Sequence, residues 1–427
     1  MNRNQKVKIP FDFEIPFDWE IKPNRALFTQ YTKKNMSELP LLSVSQSKGV
    51  TFQTDNTSKK DTSNEDKSKY KHVRSGDLVY NKMRMWQGAV GISNQEGIVS
   101  PAYVVLGKIS ENVLPEYFHY QFRSSFYICQ SGIYSYGLCD DMNNLRYNDF
   151  KLMKSVVPDL KCQKSIVDKI EMKSQEVNQF IDKKLKYIKL LEGYRDSRIN
   201  EIITKGLKKN IKVKDSKIDW IGEIPENWNI MRLRFLVKVN PTSKNTFLDE
   251  DLKCVFLPME LISENGTYSN EANAITKSVS QGYTYFEKGD IVIAKITPCF
   301  ENRKGAFLDN LISEYGFGTT ELHVLRNSGK IITSKYLFHI LRSEIFIKLG
   351  ILNMKGTAGQ QRVPDSFVKN FRIAVPPIEE QNEIALAIED LITDTDILIQ
   401  KAHAQVELIE EYKSSLISEL VAGTIRT

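Results

Sequence analysis

Two stretches of the chain place apolar residues three and four positions apart over about forty residues each. From Gln163 to Thr204 they are Ile166, Ile170, Val177, Ile181, Leu185, Ile188 and Leu191, with no proline and a single glycine. From Gln381 to Val421 they are Ile384, Ile388, Leu391, Leu398, Ala402, Ile409, Leu416 and Leu420. This period predicts two long helices with a coiled-coil-like seam. Pro158 and Pro376-Pro377 stand just ahead, where proline is tolerated, and Gly206 and Gly423 follow, where helices stop. At about 1.5 Å per residue each helix would be on the order of 60 Å long.

The remaining sequence follows a different pattern. Short apolar runs alternate with Gly, Asn and Ser turns near residues 10–157 and again near 220–375. Ser75–Met83 and Lys288–Ile296 read as a Gly-Asp turn feeding a buried strand. Pro115–Tyr127 and Ser334–Leu349 each read as one amphipathic helix. The polar stretch Gln53–Lys71 has no apolar period and reads as a mobile loop.

The two halves are copies of one plan. Ile15-Pro16-Phe17-Asp18-Trp19-Glu20-Ile21 returns as Ile224-Pro225-Glu226-Asn227-Trp228-Asn229-Ile230. Ser75-Gly76-Asp77-Leu78-Val79 with Lys82 returns as Lys288-Gly289-Asp290-Ile291-Val292 with Lys295. Tyr117 and Arg123-Ser124 return as Tyr336 and Arg342-Ser343, and Val157-Pro158 with Gln163 returns as Val375-Pro376 with Gln381. Blocks repeated in one order mark a duplication. The expected fold is mixed α/β (α+β): two tandem-repeated domains separated by two long helices that form an antiparallel coiled coil, with pseudo-twofold symmetry. The expected boundaries are 1–158 for the first domain, 159–206 for the first helix, 207–376 for the second domain and 377–427 for the second helix.

Charge sharpens the helix reading. The first helix and its tail are basic (Lys183, Lys184, Lys186, Lys189, Arg195, Arg198, Lys205), and the second is acidic (Glu379, Glu380, Glu383, Glu389, Asp390, Asp394, Asp396, Glu407, Glu410). These charges read either as two solvated faces or, more sharply, as opposite charges flanking an apolar seam that select the two helices as partners. The net charge of +6 over 427 residues is compatible with a nucleic-acid partner without requiring one. No apolar run reaches the roughly 20 residues that span a bilayer, and no hydrophobic segment follows the basic start, so the chain is expected in the cytoplasm, away from membranes. Cys129, Cys139, Cys162, Cys254 and Cys299 lack the paired spacing of a zinc site and read as ordinary thiols.

Catalytic patterns are missing. The sequence contains no phosphate-binding Gly-x-x-x-x-Gly-Lys-Ser/Thr loop and no Gly-x-Ser-x-Gly elbow, and Gly316-Phe317-Gly318 is half a dinucleotide fingerprint. Pro158-Asp159 with Glu171 and Lys173 imitates a metal-dependent nuclease motif, but Glu171 and Lys173 fall on different faces of a helix. His72, His119, His323, His339 and His403 are dispersed. No catalytic residue and no metal ligand is assigned.

Local motifs then resemble the specificity subunits of type I restriction–modification systems over essentially the whole chain. They are Trp220-Ile221-Gly222-Glu223-Ile224-Pro225-Glu226-Asn227-Trp228, Ile296-Thr297-Pro298-Cys299-Phe300-Glu301-Asn302, Gly318-Thr319-Thr320-Glu321-Leu322, Gly359-Gln360-Gln361-Arg362-Val363-Pro364 and Val375-Pro376-Pro377-Ile378-Glu379-Glu380-Gln381. In the first half Met83-Arg84-Met85-Trp86-Gln87-Gly88, Ser100-Pro101-Ala102-Tyr103 and Met142-Asn143-Asn144-Leu145-Arg146 look like the same family. Val157-Pro158-Asp159-Leu160-Lys161-Cys162-Gln163 departs from the run that is intact in the second half. The resemblance implies two target-recognition domains, each reading one half of a split duplex DNA site. It implies two helices that serve as a ruler and as the dock for DNA methyltransferase subunits, and further restriction and translocase subunits. S-adenosylmethionine, ATP and Mg would belong to those partners, with no cofactor bound by this chain and no catalysis of its own.

Base edges are read by Arg, Lys, Asn and Gln presented on turns, while phosphate contacts hold register. The candidate DNA contacts are Lys82, Arg84, Trp86, Gln87, Asn144 and Arg146 in the first domain, and Lys295, Thr297, Arg303, Lys304, Gln360, Gln361 and Arg362 in the second. Asp77 and Asp290 read as turn formers, and Trp19, Trp220 and Trp228 as core or interface anchors. The competing class is a duplicated interaction scaffold that binds no DNA.

Overall fold

In a computed structural model, described for residues 5–6, 14–46, 48–55, 67–137, 143–242, 251–357 and 359–425, the chain divides into two units. Unit 1 is Met1–Leu185 with His403–Thr427, and unit 2 is Lys186–Ala402.

Unit 1 is built on a four-stranded antiparallel sheet in the order Phe28–Gln30, Tyr103–Lys108, Leu78–Asn81, Val90–Ile92. Unit 2 repeats the order with Val237–Val239, Leu322–Asn327, Ile291–Ala294 and Gly305–Phe307. The central strands are apolar because both of their faces are covered: Leu78, Val79, Tyr80, Ile291, Val292 and Ile293 are all buried. Each is entered through a glycine in the left-handed region, Gly76 at φ 89° and Gly289 at φ 88°. The following aspartates close the turns as expected. Asp77 Oδ2 accepts from the Arg74 N–H at 2.6 Å, and Asp290 Oδ2 from the Glu287 N–H at 2.7 Å.

A second sheet in unit 2 runs Asn273–Ile275, Lys253–Leu257, Tyr315–Gly318, Thr284–Glu287, with its central pair parallel. Unit 1 holds the same arrangement in reduced form. The hairpin Leu42–Ser45 with Gly49–Phe52 meets the pair Gly97–Val99 and Lys71–Val73 through a parallel bridge from Leu41 to Ile98. Residues 56–66, most of the polar stretch expected to be mobile, lie outside the described residues.

The helices of unit 1 are α1 (Pro115–Gln121), α2 (Ser125–Tyr134), α3 (Tyr147–Phe150) and the start of α4 (Leu160–Lys205). Those of unit 2 are α5 (Thr276–Val279), α6 (Ser334–Arg342), α7 (Glu344–Leu352), α8 (Asp365–Asn370) and the start of α9 (Ile378–Ala422). The single helices expected at 115–127 and 334–349 are each two. Ser343 turns extended at ψ 148°, accepts from the Phe346 N–H and so caps α7, whereas Ser124 breaks the first copy by turning extended at ψ 154° without a side-chain cap. A serine that caps outweighs an apolar period that would run through it.

Both long helices form at the expected positions and pack together, and each unit contains a segment of both. In unit 1, Ile166, Val167 and Ile170 of α4 share a core with Leu416, Ile417, Leu420 and Val421 of α9. In unit 2, Ile199, Ile202 and Ile203 share one with Ile384, Ile388, Leu391 and Ile392. Within unit 1 Lys413 reaches Asn178, and within unit 2 Arg195 pairs with Asp396, so the helices run antiparallel. The acidic face of α9 also serves its own domain. Glu389 takes Lys335, and Glu380 accepts from the Trp228 indole at 3.1 Å.

Each unit ties these helices down identically. Gln163 donates to Pro158 O and Asn112 O while accepting from the Leu114 N–H; Gln381 donates to Pro376 O and Ile331 O while accepting from the Thr333 N–H. The altered run before Gln163 leaves these contacts intact. Tyr117 Oη donates to Val156 O and to Val421 O near the end of α9; Tyr336 Oη donates to Ala374 O and to Ile203 O near the end of α4. Trp19 and Trp228 are buried, and Trp220 stacks on Phe371 at 5.1 Å, which makes all three anchors. Among the described residues no helix is long and apolar enough to cross a membrane.

Candidate nucleic-acid interface

In unit 1 the chain leaves strand Leu78–Asn81 through a tight turn. Asn81 Oδ1 accepts from the Met83 N–H, Met85 is buried beneath, and Gly88 at φ 82° returns the chain to the sheet. This turn holds Lys82 half-buried and Arg84 exposed. Arg84 and Gln46 both donate to Gln87 Oε1, and the Trp86 indole donates to Met83 O at 3.0 Å, so those two side chains are oriented within the turn.

A second loop, just before α3, closes on the first. The Leu145 N–H donates to Lys82 O at 2.9 Å, and Asn144 bridges Tyr136, over whose ring Arg146 lies at 5.0 Å. Lys82, Asn144 and Arg146 thereby line one concavity of about 280 Å³, together with Lys71, Gln30 and Asn148. Lys71 escaped the sequence reading. It is 8% exposed, donates to Tyr103 O, and its amine is pulled down to about 8 by burial and then by Lys82 and Lys34. Nothing local marks it, because a lysine in a strand is normally solvated.

Unit 2 brings the corresponding segments together. The Val363 N–H donates to Lys295 O at 2.8 Å, matching Leu145 and Lys82. The Thr297 N–H donates to Gln361 O at 3.0 Å, and Thr297 Oγ1 accepts from the Gln361 N–H. Arg362 pairs with Lys355 across a bridge and donates two parallel bonds to Glu321, at 2.8 and 2.9 Å. Arg362 in turn holds the Glu321 carboxyl below its usual range. Lys295, Thr297, Gln360, Gln361 and Arg362 thus share one surface around Glu321, which lies in the motif at residues 318–322 but is not among the expected DNA contacts.

Arg303 and Lys304 stand apart from that surface. Arg303, at φ 58°, donates both guanidinium ends to Asp196 of α4, and Lys304 Nζ donates to Met259 O. Their cationic ends are engaged inside unit 2.

Among the described residues no group of three or more His, Cys, Asp or Glu could hold a metal ion. Cys129, Cys162, Cys254 and Cys299 are free thiols, and Cys139 lies outside the described residues. The two surfaces offer hydrogen-bond donors, amides and cations on turns fixed to a rigid sheet. They suit recognition of an acceptor-rich polymer.

Residues 225–408 match the type I restriction modification DNA specificity domain. The EcoAI type I restriction enzyme specificity subunit of Escherichia coli is 39% identical over 199 residues, which is 46% of this chain and 33% of that one. The EcoEI specificity subunit is 35% identical over 200 residues with the same coverage. The match thus spans about a third of the length of these two relatives. The MjaVIII specificity subunit of Methanocaldococcus jannaschii is 22% identical over 84% of this chain and 83% of its own. Among solved structures, a chain from work on complex assembly and conformational transition of the type I R-M system matches with a TM-score of 0.69 at 13% identity, covering 97% of this chain and all of that one. The HsdS subunit of Thermoanaerobacter tengcongensis matches with a TM-score of 0.56 at 15% identity, over 97% of this chain and 99% of that one. These two likenesses concern the fold.

Proposed function

We propose that this chain is a type I restriction–modification specificity subunit, giving such a complex its DNA sequence preference without catalysing a step itself. Each unit reads one part of a split duplex site, and α4 and α9 carry the dock for adenine-methylating subunits and set the gap between the two parts. Restriction and translocase subunits join the same assembly in the cytoplasm, and S-adenosylmethionine, ATP and Mg serve the methylation and restriction partners and not this chain. Functionally, 1–158 and 207–376 are the recognition domains, and 159–206 and 377–427 the helices between them.

The observation that carries this reading is the repeated pairing of two loops. In each unit a turn after a central strand is hydrogen-bonded to a loop before a short helix, Lys82 to Leu145 and Lys295 to Val363. The residues so gathered are cations and amides, the types that read base edges in the major groove. Lys82, Arg84, Trp86, Gln87, Asn144 and Arg146 serve the first part of the site, and Lys295, Thr297, Gln360, Gln361 and Arg362 the second. Arg303 and Lys304 act from behind, by fixing the loop that carries Thr297.

The test is single-molecule sequencing of genomic DNA from cells expressing this chain with its methylation subunit. The expected result is a new methylated-adenine motif in two short parts with a fixed gap. With partner binding verified, the absence of any new motif would favour a duplicated scaffold that binds no DNA.

A further inference from the structure

The two recognition surfaces share a frame but differ in one chemical respect. In unit 2 the Lys295 N–H donates to the backbone of Glu321, whose carboxylate supplies an acceptor beside Lys295 and Arg362. In unit 1 the corresponding backbone bond from Lys82 goes to Ala102, which brings no carboxylate. Strand register supplies a second difference. Lys71 opposes Val99 in unit 1, and at the matching place Thr284 opposes Gly318 in unit 2. Relative to the shared frame, unit 1 therefore adds a cation at Lys71 and unit 2 adds an acid, at a different position, at Glu321.

None of the residues lining the unit 1 concavity is acidic: Lys71, Lys82 and Arg146 supply the charge, and Gln30, Asn144 and Asn148 the amides. The donors lie at graded depth, with Lys71 buried, Lys82 half-buried and Arg146 exposed. Lys71 spends one of its three hydrogens on Tyr103 O and keeps two for an incoming acceptor. The Lys71 amine loses part of its basicity to burial and to Lys82, so an incoming acceptor relieves both costs.

We infer that this concavity reads a guanine, through the edge bearing O6 and N7, in the half-site assigned to unit 1. Guanine is the base whose own major-groove edge offers two acceptors and no donor, whereas adenine pairs its N7 acceptor with an N6 donor that would face these cations. Lys82 and Arg146 make the contacts, and Lys71 forms the floor that excludes a donor. A phosphate oxygen satisfies the same donors, and the experiment separates the two.

This inference rests on the proposed function. The assembled complex with its methylation subunit is used to obtain the wild-type motif and the motifs of Lys82→Met, Arg146→Ala and Lys71→Met. Duplexes carrying 7-deazaguanine at each guanine, or methylphosphonate at each adjoining phosphate, are then titrated against the wild-type complex. The expected result is a required guanine in one half-site, about 10- to 100-fold weaker binding when its N7 is removed, and relaxation of that position alone in Lys82→Met. Lys82 is half-buried and makes the contact itself, so Lys82→Met carries the test independently of Lys71→Met. A half-site without a required guanine overturns the inference. So does a loss that is equal for all sequences, follows the methylphosphonate and lowers the salt dependence, since that marks a phosphate contact. Absence of any split motif in the wild type would instead remove the proposed function itself.

Discussion

Arg303 grips Asp196 with both ends of its guanidinium, at 2.7 and 2.8 Å, and so ties the loop bearing Thr297 to helix α4. The pair is largely sheltered, with the Asp196 side chain 15% exposed, and the contact keeps Arg303 more basic than usual. Arg303→Ala leaves that carboxylate without its partner. We expect a loss of about 2–4 kcal/mol in denaturant unfolding, with the methylation motif unchanged. A motif altered in its second part, at unchanged stability, would return Arg303 to the reading surface.

Gln163→Ala and Gln381→Ala should be matched lesions. Each removes two donated bonds and one accepted bond from sites at the start of a long helix. Each should cost about 2–4 kcal/mol by chemical denaturation, because the Pro158 and Pro376 carbonyls left behind are buried and the other backbone partners partly so. The glutamate variants should recover little, since a carboxylate cannot donate to two carbonyls.

Three glycines should rank by what a methyl group meets. Gly76 has open space, so Gly76→Ala carries the left-handed backbone cost alone, about 1 kcal/mol. At Gly206 a Cβ would lie 3.0 Å from the Trp228 ring, and at Gly423 it would lie 2.6 Å from Pro16 and 2.8 Å from Trp19. Thermal unfolding should place Gly423→Ala lowest, Gly206→Ala between and Gly76→Ala highest.

Lys71 predicts a pH signature. Its folded value of about 8 lies below the ordinary 10.5, through burial and then the charges of Lys82 and Lys34. Between those values the unfolded chain keeps a proton that the folded chain has released, so stability gains with rising pH from this residue. Lys71→Met should raise the urea midpoint at pH 7 and flatten the rise toward pH 10. An unchanged slope would show that Lys71 is solvated.

One heptad added to α4 and to α9 at facing positions keeps the apolar seam in register. The gap between the two parts of the methylated motif should then widen by about 10 Å, roughly three base pairs. A gap that stays the same would end the ruler reading.

The long helices were legible because their apolar period runs from Ile166 to Leu191 and from Ile384 to Leu420, and the duplication was legible in Gly76-Asp77 and Gly289-Asp290. The local breaks were not: Ser124 and Ser343 turn extended and split two amphipathic runs whose spacing continues through them. Candidate site residues were chosen by type and turn context, and the structure gathers Lys82 with Asn144 and Lys295 with Arg362. Type alone could not reveal that Arg303 is engaged, because its partner lies 107 residues earlier. Nor could it reveal Lys71, whose burial depends on the pairing of Lys71–Val73 with Gly97–Val99.

The bond from Tyr117 to Val421 joins residues 304 positions apart. Unit 2 is continuous from Lys186 to Ala402, whereas unit 1 is completed only by His403 onward. On the ribosome, the half made first must therefore wait with part of its core uncovered, Ile166 and Ile170 included, while the half made second can finish. Synthesis order and completion order are reversed in this chain. A stalled or truncated product lacking the last turns of α9 would present a finished unit 2 beside an open unit 1, a natural substrate for chaperones and proteases.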